Sequence, residues 1–422
     1  MNKLFALNTI SFKENLRKEG FSNNFINKHL WKYHYLLTDI MKASLLRTGE
    51  TYSIRLHMKS MNQLLSNTEV NGKPFRFSTE ILDAFERWSV IIRQRNNESN
   101  GDNYKTSVFV KLYDEVTENG WEEWIDTEVK PAPNQIFQKP AKVFTGIYKQ
   151  IADNLGIVTI DAAAAREFMS HALKSKMKLR PKKRGNVSIK NRRMGMREYS
   201  AWLYMIEAIE HGDYAPSVDA DGSGRFYSNL CNTATPLRNF FFIDGLPTHE
   251  IDISSSQCLV FAIFLKRRYG SDLPESVARY IDLCERGAFY DAVKKIVILP
   301  GEADMDMPEF KVAFFGKIFY SSEVVNWNWR KRFALEFPEV SDCITSYKSM
   351  CYKDLPAMLT AMEAQIMLHG VTARLFANGI TRHFSLHDSF YCTEDVKPTI
   401  EQYLIEEFKK YGVTPHFKSK KR

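Results

Sequence analysis

The chain has no Cys-x-x-Cys pair: its six cysteines, Cys231, Cys258, Cys284, Cys343, Cys351 and Cys392, stand far apart and mostly inside apolar runs. That spacing offers no redox or metal-binding pair and predicts thiols that act as small hydrophobes in a reducing compartment. Long hydrophobic runs are missing too. The longest, Cys258 to Leu265, falls far short of the ~20 residues a membrane span needs, and the N-terminal MNKLFALNTISFKEN lacks the apolar core of a secretory signal. The expectation is a cytoplasmic protein with no membrane partner. Sequence repeats and low-complexity tracts are also absent, which excludes solenoids and disordered arrays.

What remains is an ordinary globular composition. The 422 residues, 44% of them hydrophobic, predict two or three packed units. The net charge of +8 is concentrated: the segment from Lys174 to Arg197 carries eleven basic residues and no acidic one. Such a stretch, including Lys182, Lys183, Arg184, Arg192 and Arg193, reads equally as a solvated loop or as a phosphate-tracking surface, and sparse aromatic neighbours argue against base stacking. The basic tail HFKSKKR is a further candidate for such a surface, with a solvated end the preferred reading.

Helices are predicted over Ile26 to Lys42 and Ser78 to Arg95, and a hairpin in which TSVFVKLYDEV and WEEWIDTEV flank Glu118-Asn119-Gly120. The proline-rich stretch 129–142 reads as a linker, giving boundaries of 1–140, 141–222 and 223–422, and the pattern from Thr145 to His211 is helical. The first 140 residues carry no legible motif.

Chemistry is concentrated after the Gly-rich turn 219–224. In THEIDISSSQCLVFAIFLKRRYG (248–270) an alternating strand ends at Asp252-Ile253-Ser254 and passes into a buried helix. TRHFSLHDSFYCTED (381–395) reads as two short strands joined at His387-Asp388-Ser389, with Asp388 in the turn. Two carboxylates on adjacent strand ends can share a pair of divalent ions for phosphoryl transfer; taken alone, a structural or solvated role for each is the favoured competing reading. MPEFKVAFFGKIFYSS (307–322) opens on Pro308, and Lys311, Phe315 and Phe319 recur on one helical face. Such a face suits a nucleoside triphosphate, with the cation on the phosphates and the rings against base or sugar; packing in a core is the competing use. His383 and His387 with Cys392 lack the helix and the Glu of a zinc protease. Trp327 and Trp329 read as packing residues, and the acidic group Glu302, Asp304, Asp306 and Glu309 as the loop and first turn before the Lys311 helix.

In order and wording these segments resemble the single-subunit polymerases of the right-hand fold, the phage-type RNA polymerases and family A DNA polymerases, over about residues 224–422. EIDISSS is similar to their first palm motif, KVAFFGKIF to the fingers helix with Lys311, Phe315, Gly316 and Phe319 at the family spacing, and HDSF to the second palm motif. GRFYSNLCNTATPLRNFFFIDG (224–245) resembles the stretch before the first palm motif, and AFYDAVKKI (288–296) the segment between palm and fingers.

The resemblance implies an α+β fold: a right-hand palm with compact fingers, preceded by a mostly helical N-terminal region and a thumb-like basic connector. It implies a template-directed nucleotidyltransferase using two Mg²⁺ ions, or Mn²⁺ in their place, held by Asp252, Asp388 and the Ile253 carbonyl. Lys311 would meet the triphosphate and His387 the primer or product end. Phe315, Gly316, Phe319, Gln257 and Ser254 would line the nucleotide site, and Arg225 would contact nucleic acid. The implied partners are nucleic-acid template and product, nucleoside triphosphates, and proteins of a replication, phage or plasmid system. Two departures stand out: the family's Arg one turn before the Lys is Met307 here, and its Tyr is Phe319, followed by Tyr320 where Gly is usual. Gln257, a large side chain five positions after Asp252, favours deoxynucleotides; HDSF and the GRFY wording lean to an RNA polymerase or primase, which is the preferred reading, with a family A-like DNA polymerase as the alternative. A non-catalytic nucleic-acid-binding replication or defence factor is the alternative of another class.

Overall fold

The computed structural model describes residues 5–7, 9–46, 54–57, 61–62, 65, 67–70, 72–94, 107–112, 121–123, 143–179, 182–184, 187–189, 193–219, 222–299, 305–320, 327–349 and 351–422. The linker stretch 129–142, the turn at 118–120, Glu302, Asp304 and Arg192 lie outside them. The chain forms two compact units, Met1–Ala141 with Glu167–Tyr204, and Lys142–Arg166 with Met205–Arg422. Helices and small antiparallel sheets occur together in an α+β arrangement.

In the first unit, helix Asn23–Leu46 buries Ile26, Leu30, Tyr33, Leu37 and Ile40 along one face, against helix Phe77–Arg87, which buries Phe77, Ile81 and Phe85. That helix stops eight residues before the expected Arg95. Ser89 takes φ +56° and the β-branched Ile91-Ile92 enter a strand, Ile91–Gln94. The expected hairpin does not form: strand Ser107–Leu112 lies between Ile54–His57 and Ile91–Gln94, and Trp121–Glu123 pairs with Phe5–Leu7. Alternation specifies that a segment is a strand but says nothing of its partner. Lys182–Arg184 and Val187–Ile189 form a two-stranded ribbon, and the exposed Arg193 bridges to Lys178.

In the second unit a four-stranded antiparallel sheet runs in the order His383–Leu386, Ser389–Cys392, His249–Ile253, Phe417–Lys421. The C-terminal tail is exposed to solvent, as expected, and also forms an edge strand beside the Asp252 strand. Helix Ser256–Tyr269 buries every residue from Cys258 to Leu265, as an element apolar all round must, and carries the core of this unit. Another short strand, Val158–Ile160, interrupts the helical stretch expected from Thr145 to His211. Among the described residues no helix is long and apolar enough to cross a membrane.

Candidate active site

Asp252 and Asp388 are 136 residues apart in sequence and wall one cavity of about 280 Å³ together with Lys311, Gln257 and Phe315. The sheet brings them together. Strand His249–Ile253 pairs with Ser389–Cys392 so that Asp252 faces Ser389, whose hydroxyl donates to Asp252 Oδ1 at 2.9 Å. Asp388 sits in the two-residue turn His387-Asp388, and its carbonyl accepts from the Ile253 amide at 3.3 Å. Two non-glycine residues at this junction adopt the left-handed backbone, His387 with φ +56° and the helix cap Ser255 with φ +56°. Such conformations persist only where surrounding structure fixes them, and they cluster at functional sites.

The carboxylates are crowded. Burial, then the charges of Glu363 and Asp252, push the Asp388 carboxyl from its ordinary 3.8 up to about 7. Burial also raises Asp252, opposed by the Ser389 hydroxyl and by the charges of Lys311 and Lys418. Hard oxygen donors in an anionic cluster suit Mg²⁺ or Mn²⁺, which would relieve that repulsion. Glu207, Glu210 and His211 form a separate group, but Arg166 pairs with both carboxylates, so it is an ion-pair cluster at a helix end.

A pH dependence follows. Between about pH 4 and 7 the folded chain keeps the Asp388 proton that the unfolded chain has released, so this group's contribution to stability falls as pH rises through that window and is flat above it. Burial holds His29, His383 and His387 near 4, which acts in the opposite sense up to about 6.5. The difference between parent and Asp388→Asn isolates the carboxyl. With divalent cations chelated, the variant should gain on the parent in melting temperature from pH 5 to 8; parallel curves would refute the assignment.

Lys311 rises from helix Met307–Phe314, whose N-cap Asp306 accepts from the Glu309 amide at 2.8 Å, and its ammonium lies 4.7 Å from the centre of the Tyr290 ring. The helix then widens into a π-helical turn over Phe315–Phe319, where the Tyr320 amide bonds the Phe315 carbonyl at 2.7 Å. The buried Lys348 ammonium satisfies the Ile318 carbonyl of that turn at 2.8 Å. The wider turn rotates the side chains that follow. Phe319, expected on the Lys311 face, is fully buried against Phe261 and Phe314. Tyr320 stacks on Phe315 at 4.9 Å and donates to Gln257 Oε1 at 3.3 Å. Gly316 lies within the π turn, and Lys317 is committed elsewhere, 3.9 Å over the Trp329 ring. Trp329 is core, as expected.

Glu363 is the site residue that sequence reasoning missed. It ends helix Asp354–Ala364, is 4% exposed, and accepts from Arg225 Nη2 and from Gln257 Nε2, each at 2.5 Å. One carboxylate thus ties the Gly224-Arg225 turn, the helix after Asp252 and, through Gln257, Tyr320. A second π-helical stretch, Gln365–Thr372, follows at once. The signal was present as a lone acid in the apolar run MLTAMEAQIML, since an acid buried without a partner is costly. Arg225, the expected nucleic-acid contact, pairs with Glu363.

His387 is held neutral by burial and by the charges of Arg225 and Arg238, and its ring meets Tyr227 edge to face at 5.4 Å. Its buried Nδ1 has no hydrogen-bond partner among the described residues. Ser254, on the cavity wall, donates its amide to the His416 carbonyl at 2.8 Å. The basic residues Lys182, Lys183, Arg184 and Arg193 belong to the first unit.

No protein-family model matches the chain, and no curated protein matches it. Among solved structures 85 chains match. One is the POL domain of Pol1 from M. smegmatis, in complex with DNA primer-template and dNTP, at 10% sequence identity and a TM-score of 0.44, over 65% of this chain and 68% of that one.

Proposed function

We propose that the second unit is a template-directed nucleotidyltransferase, a nucleic-acid polymerase of the right-hand kind, working on nucleoside triphosphates. The observation that carries this reading is the meeting of Asp252 and Asp388 in one cavity with Lys311. Asp252, Asp388 and the Ile253 carbonyl are the residues to hold divalent ions. When bound, such ions supply charge neutralisation and lower the pKa of the attacking hydroxyl. Lys311 binds the phosphates of the incoming nucleotide, and the stacked Phe315 and Tyr320 give its base and sugar a flat wall. His387, neutral at physiological pH, would lie by the primer or product end. The basic ribbon of the first unit would track phosphates, positioning nucleic acid without specifying its sequence. Catalysis of this type rests on orientation and charge.

On the sugar, the geometry favours deoxynucleotides over the RNA polymerase or primase reading. Gln257 is fixed at both ends, by Glu363 and by Tyr320, so its bulk stays on the cavity wall. Gln257→Gly should raise the preference for ribonucleotides over deoxynucleotides by about tenfold or more, a modest steric discrimination of 1–3 kcal/mol. An unchanged ratio of kcat/KM between the two sugars would remove Gln257 from sugar selection. The reading as a whole is tested with purified protein, Mg²⁺, labelled nucleotides of both sugars, and primed or single-stranded templates. Extension of a primer or synthesis of a new strand is expected. If no template yields product, a binding protein without turnover becomes the better description.

A further inference from the structure

The cavity has a second cation that does not come from the Lys311 helix. One turn before Lys311 the wall is the thioether of Met307, and Lys317 sits over Trp329. A bound triphosphate carries about four negative charges, and one ammonium leaves most of them to the metal ions. Lys418 also lines the cavity.

Its position is set by the sheet. The C-terminal strand pairs with the Asp252 strand in antiparallel register, placing Lys418 opposite Asp252 and Lys420 opposite Glu250. Both ends of the strand are clamped. At the near end His416 receives the Ser254 amide on its carbonyl at 2.8 Å and meets the Ser254 hydroxyl through Nδ1 at 3.1 Å. Gly287 is needed there, because a Cβ at that position would lie 2.7 Å from His416 Nδ1. At the far end the Arg422 amide bonds the Thr248 carbonyl at 2.9 Å, and its guanidinium pairs with Glu250. Between these anchors Lys418 is exposed, makes no salt bridge among the described residues, and shares the cavity with Asp252 and Asp388. By strand alternation Lys421 points to the other face of the sheet.

Resting on the polymerase reading above, we propose that Lys418 is a phosphate-binding residue: with Lys311 it grips the β- and γ-phosphates of the incoming nucleoside triphosphate, supplying from the C-terminal strand the charge that Met307 does not. An ammonium on a strand is a point charge suited to phosphate oxygens. Nucleoside monophosphates, which lack those phosphates, gain nothing from it.

The test is equilibrium binding of dATP, dADP and dAMP to protein on a primed template with a dideoxy-terminated primer, alongside KM and kcat for dATP on an extendable primer. Lys418→Gln should weaken dATP by about tenfold, the loss of one charge-assisted contact, and leave dAMP unchanged. Lys418→Arg should retain binding, Met307→Arg should restore it in the Lys418→Gln background, and Lys421→Gln should match the parent. Unaltered melting temperatures show that the strand remains docked. The proposal is overturned if Lys418→Gln holds dATP as tightly as the parent, or loses dATP and dAMP equally. If the parent itself holds no dATP and extends no primer, the polymerase reading falls and this inference with it.

Discussion

Asp252→Asn and Asp388→Asn should each lower templated incorporation by at least about a thousandfold, some 4 kcal/mol of transition-state stabilisation. Both substitutions keep the shape of the side chain and remove only a charge that the cavity concentrates beside Lys311. Because the two carboxylates act as one grip, the double variant should be scarcely worse than either single one. Single-turnover extension on a primed template measures this. Two single losses that multiply in the double variant would indicate separate roles, and a variant as fast as the parent would place the chemistry elsewhere.

The second large effect is on stability. Glu363→Ala leaves the Arg225 guanidinium, 20% exposed, without its counter-ion and the Gln257 amide without an acceptor. Breaking a buried pair from one side costs about 3–5 kcal/mol, mostly from the charge left behind. Replacing both partners, as in Arg225→Met with Glu363→Leu, should recover much of that loss, because no buried charge is left uncompensated. Urea unfolding of the parent, single and double variants separates the cases. A Glu363→Ala loss under about 1 kcal/mol, or a double variant no better than the single, would mean the pair carries little.

What the sequence made legible were local devices. Period-two alternation ending at Asp252, an apolar run long enough for a buried helix, and His387-Asp388 between two short strands each specify their own geometry within a few residues. Pro308 after Asp306 marked the start of the Lys311 helix. What escaped were choices of partner and changes of helical pitch. The partners of Ser107–Leu112 depend on distant segments, and so does the pairing of the exposed HFKSKKR as an edge strand. Counting four residues per turn puts Phe319 on the Lys311 face, and the π turn, stabilised from outside by Lys348, defeats that count. Glu363 was invisible as a site residue because its partners, Arg225 and Gln257, are more than a hundred positions away.

The measurement that bears most directly on the central claim is incorporation opposite a single changed template base. Purified protein, Mg²⁺ and a primed template are supplied with each of the four nucleotides in turn, first with one templating base and then with another. The nucleotide added should switch with the template base, with deoxynucleotides preferred, and should vanish in Asp388→Asn. Addition that ignores the template, or that persists undiminished in Asp388→Asn, would contradict a templated transfer built on Asp252, Asp388 and Lys311.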